Sequence, residues 1–233
     1  MKIIISPAKK MKQDADSFDC HGLPQLLHQT EQLYQQLCRM SYAELKRLWC
    51  CNDQIATLNY ERLQKMDLHR NLTPAVMSYE GIQYRYMAPS VLTDKELAYL
   101  EQNLRILSGF YGILRPFDGV TPYRLEMQAK LSVNGCHNLY EFWKDIIAQS
   151  LFSETDMIVN LASKEYSELP IRALRPTPAQ VAKVSNKYRY KLMIKCKNNL
   201  TFRTMLSRLL VACGKEKAFA GVTVYADSNP DMI

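Results

Sequence analysis

Arg124 and Glu126 stand two apart in Pro122-Tyr123-Arg124-Leu125-Glu126-Met127. In an extended chain that spacing puts the guanidinium and the carboxylate on one face, with Tyr123 and Leu125 on the other. Such a pair can orient each other, or clamp the phosphate and the amine of a ligand. On the local pattern alone the favoured reading is a plain ion pair on a strand face, a type that contributes little. Two further clusters follow apolar runs. Ile3–Ile5 leads into Ser6-Pro7-Ala8-Lys9-Lys10, and Met157–Leu161, with Asn160 inside it, leads into Ala162-Ser163-Lys164-Glu165-Tyr166. In a sheet with parallel strands, the crevice beyond the strands' carboxyl ends is the usual ligand site. Two hydroxyls, an amide and three lysines would meet an anion there. The plainer alternative is that Pro7 ends a strand and the lysines are solvated.

Between these clusters lies the densest stretch of the chain, Arg105 to Met127, "RILSGFYGILRPFDGVTPYRLEM". A helix ending at Leu107, followed by Gly109, Gly112 and Arg115, resembles a helix-hairpin-helix element, though its glycines stand three apart where the usual hairpin has them two apart. In such an element a glycine turn lets backbone N–H groups approach a phosphate while a nearby cation adds a charge-assisted contact. A glycine cap after Leu107 and a tight turn is the reading the local pattern slightly favours. If Lys9, Tyr123, Arg124, Glu126 and Glu165 converge, the cations hold an anion and Glu126 or Glu165 is the candidate general base or acid.

Other chemistries lack their residues. Cys20-His21, Cys50-Cys51 and Cys136-His137 are adjacent pairs, not the two-to-four-residue spacings of zinc sites, so no metal site is expected. No Glu-x-x-His, Gly-x-Ser-x-Gly elbow or Walker loop occurs, and no cofactor is expected.

Positioning these groups falls to elements the pattern marks out. Ile3–Ile5 reads as a short buried strand. Leu23 to about Met66 is helical, with Ser41 and Glu44 forming a capping box ahead of Leu45, Leu48 and Trp49. Tyr79–Met87 has strand character. Thr93 and Glu96 open a second boxed helix with Leu97, Leu100, Leu104 and Leu107 along one stripe. Asn138 and Glu141 cap a third, burying Leu139, Phe142, Trp143, Ile146 and Ile147. Strands are predicted over Met157–Leu161, Val181–Val184, Tyr188–Cys196 and Phe219–Ala226, and a helix over Phe202–Cys213. Helices and strands mix without strict alternation, which points to a single compact α/β (α+β) domain with a mixed sheet surrounded by helices.

The bulk numbers set outer bounds. An apolar fraction of 47% and a charged fraction of 23% over 233 residues exclude wholesale disorder. A formal charge of +7 tilts the protein toward polyanions such as nucleic acid or phosphorylated ligands. No apolar run approaches the roughly 18 residues of a membrane span, and no signal-peptide core follows Met1. The seven cysteines form no framework spacing, so reduced thiols in a cytoplasmic protein are expected.

Taken in order, "ISPAK", "LRILSGFYGILRPFDGVTPYRLEM", "NLYEFWKDII" and "VNLASKEYS" resemble the YaaA family of bacterial peroxide-stress proteins, from Lys2 to about Ser167. The resemblance implies a cytosolic protein that limits unincorporated iron and oxidative DNA damage, built as one α/β domain with a helix-hairpin-helix-like element and a basic cleft. It implies duplex or branched DNA as partner. By position the hairpin falls on Leu107–Arg115, and the cleft would be lined by Ser6, Lys9, Arg115, Tyr123, Arg124, Glu126, Asn160, Ser163, Lys164, Glu165 and Tyr166. The C-terminal third departs from the family pattern. In "IKCKNNLTFRTMLSR" only Lys195, Lys197, Arg203, Met205 and Arg208 echo it. Two functions follow as expectations: non-sequence-specific DNA binding through the cleft, or an enzyme acting there on a nucleotide or other anionic small molecule. Direct iron sequestration ranks third.

Overall fold

The isoleucine run forms β1 (Lys2–Ile5), and a two-residue β2 (Lys10–Met11) follows. The computed structural model describes residues 1–155 and 158–166, the backbone of 183–184 and 187–188, and positions 204, 207, 208 and 211. The expected helical region resolves into α1 (Leu27–Cys38), α2 (Tyr42–Trp49) and α3 (Asp53–Gln64). The capping box holds: Glu44 Oε2 accepts from Ser41 N–H at 2.8 Å and from Ser41 Oγ at 2.7 Å, and Leu45 and Trp49 turn inward. Asn52 starts α3 by accepting from Ile55 N–H at 3.0 Å.

β3 (Thr73–Pro74), α4 (Ala75–Ser78), β4 (Tyr79–Glu80) and α5 (Ile82–Met87) come next. The strand expected over Tyr79–Met87 is therefore corrected. Only its first two residues pair, with β2, and Ile82–Met87 is helical. Tertiary bonding overrides aromatic strand propensity here: Gln83 Nε2 and Tyr84 Oη both donate to the Ser6 carbonyl, and one helical turn brings the two neighbours to a single acceptor.

The box at Thr93 opens α6 (Asp94–Asn103), with Glu96 Oε2 accepting from Thr93 N–H at 2.8 Å. The stripe predicted to run through Leu107 stops early. Leu104–Ser108 is β5, paired in parallel with β1 and antiparallel with β6 (Gly112–Leu114). Two ladders satisfy this segment's backbone, and Leu104 and Leu107 are buried in the strand. The glycine turn is accordingly a β-hairpin, not a helix-hairpin-helix element. Phe110 and Tyr111 in its turn are buried, and both their N–H groups donate to Ser108 Oγ, which leaves neither for a phosphate.

β7 (Gly119–Val120), α7 (Leu139–Trp143), α8 (Ile146–Glu154) and β8 (Ile158–Asn160) complete the described body. Asn138 caps α7 as expected, accepting from Glu141 N–H at 3.0 Å. The main sheet runs β6-β5-β1-β8, with β1, β5 and β8 parallel and β6 antiparallel. The fold is thus a mixed α/β domain. Its core joins Ile4, Ile106, Leu107 and Leu114 of the sheet to Leu33, Leu45, Leu139, Trp143 and Ile147 of the helices. Beyond it, β9 (Lys183–Val184) pairs antiparallel with β10 (Lys187–Tyr188), and positions 204, 207, 208 and 211 are helical. The remainder of the predicted C-terminal strands and helix lies outside the described residues. Among the described residues no helix is long and apolar enough to cross a membrane.

Where the β-hairpin leaves the sheet, Asp118 is buried and accepts from Arg115 N–H at 2.8 Å. Burial pushes its carboxyl up to about 7. Between the usual carboxylate range and pH 7 the folded chain holds a proton that the unfolded chain has lost, so stability falls as pH rises through that window. Asp118→Asn keeps the acceptor and cannot ionise. Its Tm is expected to match the wild type near pH 4 and to exceed it progressively up to pH 8, as followed by thermal melts across pH.

Candidate active site at the carboxyl ends of the parallel strands

Because β1, β5 and β8 run in parallel, their carboxyl ends share one edge of the sheet. There Ser6 follows β1, Ser108 ends β5, and residues 161–166 follow β8. Ser163 N–H donates to Ser6 Oγ at 2.7 Å, and Ser6 Oγ donates to Ser163 Oγ at 3.1 Å. Ser6 is held from both sides, by this pair through its hydroxyl and by Gln83 and Tyr84 through its carbonyl. Asn160 Oδ1 accepts from Ala162 N–H at 3.0 Å and shapes the turn into this loop.

The wall opposite is residues 123–127, laid across Gly109. A Cβ on Gly109 would stand 2.5 Å from the Leu125 carbonyl oxygen. The glycine does admit a close backbone approach, but of the chain's own 125–127 segment. Trp143 Nε1–H donates to the Gly109 carbonyl at 2.9 Å and pins the turn from below. As the two-residue alternation implies, Tyr123 and Leu125 are buried while Arg124 and Glu126 face the other way. Tyr123 Oη lies 2.7 Å from Ser108 Oγ and 2.9 Å from Tyr79 Oη, and burial pushes its phenol up to about 12. This places Tyr123 as a neutral anchor for the wall.

The two walls enclose a recess of about 260 Å³, lined by Ser6, Lys9, Arg124, Glu126, Ser163 and Glu165, with Tyr123 and Tyr166 behind them. Lys9 Nζ lies 2.9 Å from Glu126 Oε2, and Arg124 Nη2 lies 3.4 Å from Glu126 Oε1. One carboxylate thus spans both cations. The Nε–H of Arg124 is buried with no acceptor. Burial pushes the Glu165 carboxyl above its usual range, with the Glu126 charge adding to the effect; backbone N–H groups of Gln128 and Met127 and the Lys9 charge oppose it. Burial likewise raises the Tyr166 phenol.

Of the residues expected at this site, the structure brings together Ser6, Lys9, Tyr123, Arg124, Glu126, Ser163, Glu165 and Tyr166. Others fall elsewhere. Arg115 is exposed just past β6, which runs antiparallel away from this edge. Lys164 is exposed and outside the lining, and Gly109 and Gly112 are buried structural glycines. Among the described residues the recess is balanced in charge, two cations facing two carboxylates, and the basic cleft expected is not confirmed. Over residues 1–166 the two signs of charge nearly balance, so the formal excess of +7 is carried by residues 167–233. Sequence reasoning missed Ser108, Tyr79, Gln83 and Tyr84. Their bonds to Tyr123 and Ser6 bridge up to 78 positions, and no local pattern signals such a contact.

The family profile described as peroxide stress protein YaaA matches residues 1–196. The chain belongs to the YaaA family. Its YaaA-family relatives carry the name UPF0246 protein. One from Pediococcus pentosaceus is 55% identical over 176 residues, covering 76% of this chain and 68% of that protein. Others from Lactiplantibacillus plantarum and Ligilactobacillus salivarius are each 56% identical, over 181 and 176 residues, covering 78% and 76% of this chain and 73% and 71% of theirs. The YaaA profile reaches past Ser167, where the resemblance read from motifs ends, and stops within the divergent C-terminal third.

Proposed function

We infer that this peroxide-stress protein acts as an enzyme on a small molecule bearing both an anionic group and an amine or hydroxyl. The observation that carries the reading is the Lys9–Glu126–Arg124 bridge beside Glu165, whose carboxyl is raised by burial, in one recess. Lys9 and Arg124 would receive the anion, with the Nε–H of Arg124 as a donor in need of an acceptor. Glu165 would hand a proton to the reacting group or take one from it, since burial that raises a carboxyl shifts it in the direction acid and base work requires. The volume, about 260 Å³, suits a compact ligand, being just below the roughly 300–1,000 Å³ of drug-sized sites. Against a panel of nucleotides, phosphorylated metabolites and amino acids, the full chain is expected to gain thermal stability with a subset. The Arg124→Ala variant should keep its unliganded Tm within a few degrees and lose at least tenfold in affinity, about 1.4 kcal/mol. A panel with no binder, or binders indifferent to Arg124, would sink the reading.

DNA remains the partner implied by the family resemblance. The formal charge excess of residues 167–233 supports a contact through their lysines and arginines more than one through the recess. In a salt series on duplex and branched DNA, Arg124→Ala should then leave the slope unchanged. Neutralising Lys195, Lys197 and Arg203 should lower it by about one for each phosphate lost. Among the described residues no group of three His, Cys, Asp or Glu side chains could hold a metal ion.

A further inference from the structure

Far from the recess in sequence, an open groove of about 760 Å³ lies along α2 and the turn into α3, lined by Tyr42, Lys46, Arg47, Cys50, Cys51 and Asp53. The two cysteines are adjacent and both thiols are free. Cys50 is exposed at the end of α2, in the left-handed region at φ 45°, and its Sγ–H donates to the Arg47 carbonyl at 3.2 Å. Cys51 is half-buried and packs partly against the core. A non-glycine residue at positive φ is uncommon and marks a turn that its surroundings impose.

We propose that Cys50 and Cys51 form a reversible dithiol switch oxidised by hydrogen peroxide. The exposed Cys50 thiolate attacks one peroxide oxygen. The O–O bond breaks, Cys50 becomes a sulfenic acid, and the departing hydroxide takes a proton to leave as water. The Cys51 thiolate then attacks the Cys50 sulfur. The S–O bond breaks, the S–S bond forms, and a second water leaves. Two thiols lose two electrons and two protons, and the hydrogen peroxide gains both. Adjacent Cα atoms are about 3.8 Å apart, short of the roughly 4.4–6.8 Å of ordinary disulfides. The bridge is therefore strained, and strained bridges are readily reduced. Its closure would reset the turn that joins α2 to α3. This inference is independent of the reading given to the recess.

The test treats the full chain with a small excess of hydrogen peroxide and maps thiols by mass spectrometry. The expected product loses two hydrogen masses, carries the link within the Cys50-Cys51 peptide, and returns to the dithiol with a mild reductant. In Cys51→Ser, a dimedone adduct at Cys50 should rise several-fold over wild type. A thermal melt confirms that this variant is folded, and Cys50→Ser, at an exposed position, provides a second. A bridge from either cysteine to another residue or another chain overturns the proposal. So does oxidation of Cys50 to the sulfinic acid while Cys51 stays a free thiol.

Discussion

Gly109→Ala is expected to lower Tm by roughly 10 °C, corresponding to about 3 kcal/mol of lost stability for a chain of this size. The added methyl would meet the Leu125 carbonyl at 2.5 Å, the Glu126 carbonyl carbon at 2.9 Å and the Met127 nitrogen at 3.0 Å. All three are backbone atoms, so no side-chain rotation relieves the contact. The turn cannot retreat, because Trp143 holds the Gly109 carbonyl and Phe110 and Tyr111 are buried beside it. The 125–127 segment must move, and Arg124 and Glu126 move with it. Any ligand affinity that depends on Arg124 should therefore fall together with Tm. Gly22→Ala is the control: nothing lies within 4 Å of its added methyl, and its melt should stay within a degree or two of wild type.

Glu154→Ala is the second large effect, with an expected cost of about 3 kcal/mol read by chemical denaturation. Glu154 accepts from Arg105 through Nε at 3.0 Å and through Nη2, and pairs with Lys2 Nζ at 3.0 Å. Arg105 is 4% exposed on a central strand, so removing the carboxylate strands a cation where water cannot reach it. Burial alone would raise the Glu154 carboxyl; the bonds and charges of Arg105 and Lys2 outweigh it and hold the group below its usual range. The wild type should lose this contribution as pH falls through and below the ordinary carboxylate range, and the variant should show a flatter acid limb. Replacing both partners, as Arg105→Met with Glu154→Leu, should cost less than Glu154→Ala alone.

Features set by neighbours in sequence were legible. Ser41 with Glu44, Thr93 with Glu96 and Asn138 with Glu141 mark helix starts because each bond closes within three residues. The alternation at Tyr123–Glu126 likewise sorted inward from outward residues before any partner was known. Leu104 and Leu107 misled because spacings of three and four fit a helix face, while β5 owes its state to β1 and β6, which a window around it does not contain. At the site, strand-end reasoning located Ser6, Lys9, Ser163 and Glu165. The sign of the recess was not legible, since it depends on Glu126 reaching both Lys9 and Arg124. Arg115 was placed there by position along the chain, and the direction of β6 carries it elsewhere; Lys164 follows β8 to this edge but lies outside the lining.

The Ser6–Ser163 bond joins positions 157 apart, close to the widest separation the described body permits. Contacts of that span form late, because the loop entropy of the whole intervening chain must be overcome before they reward the fold. During synthesis the first wall of the recess waits on the ribosome's delivery of the last, so the chain emerges with its hairpin and helices able to assemble while the site is still half-built. Occupancy of the recess would then report that the final parallel strand has docked, and a compact ligand would act as a clasp on the sheet, slowing its unzipping from the β8 edge.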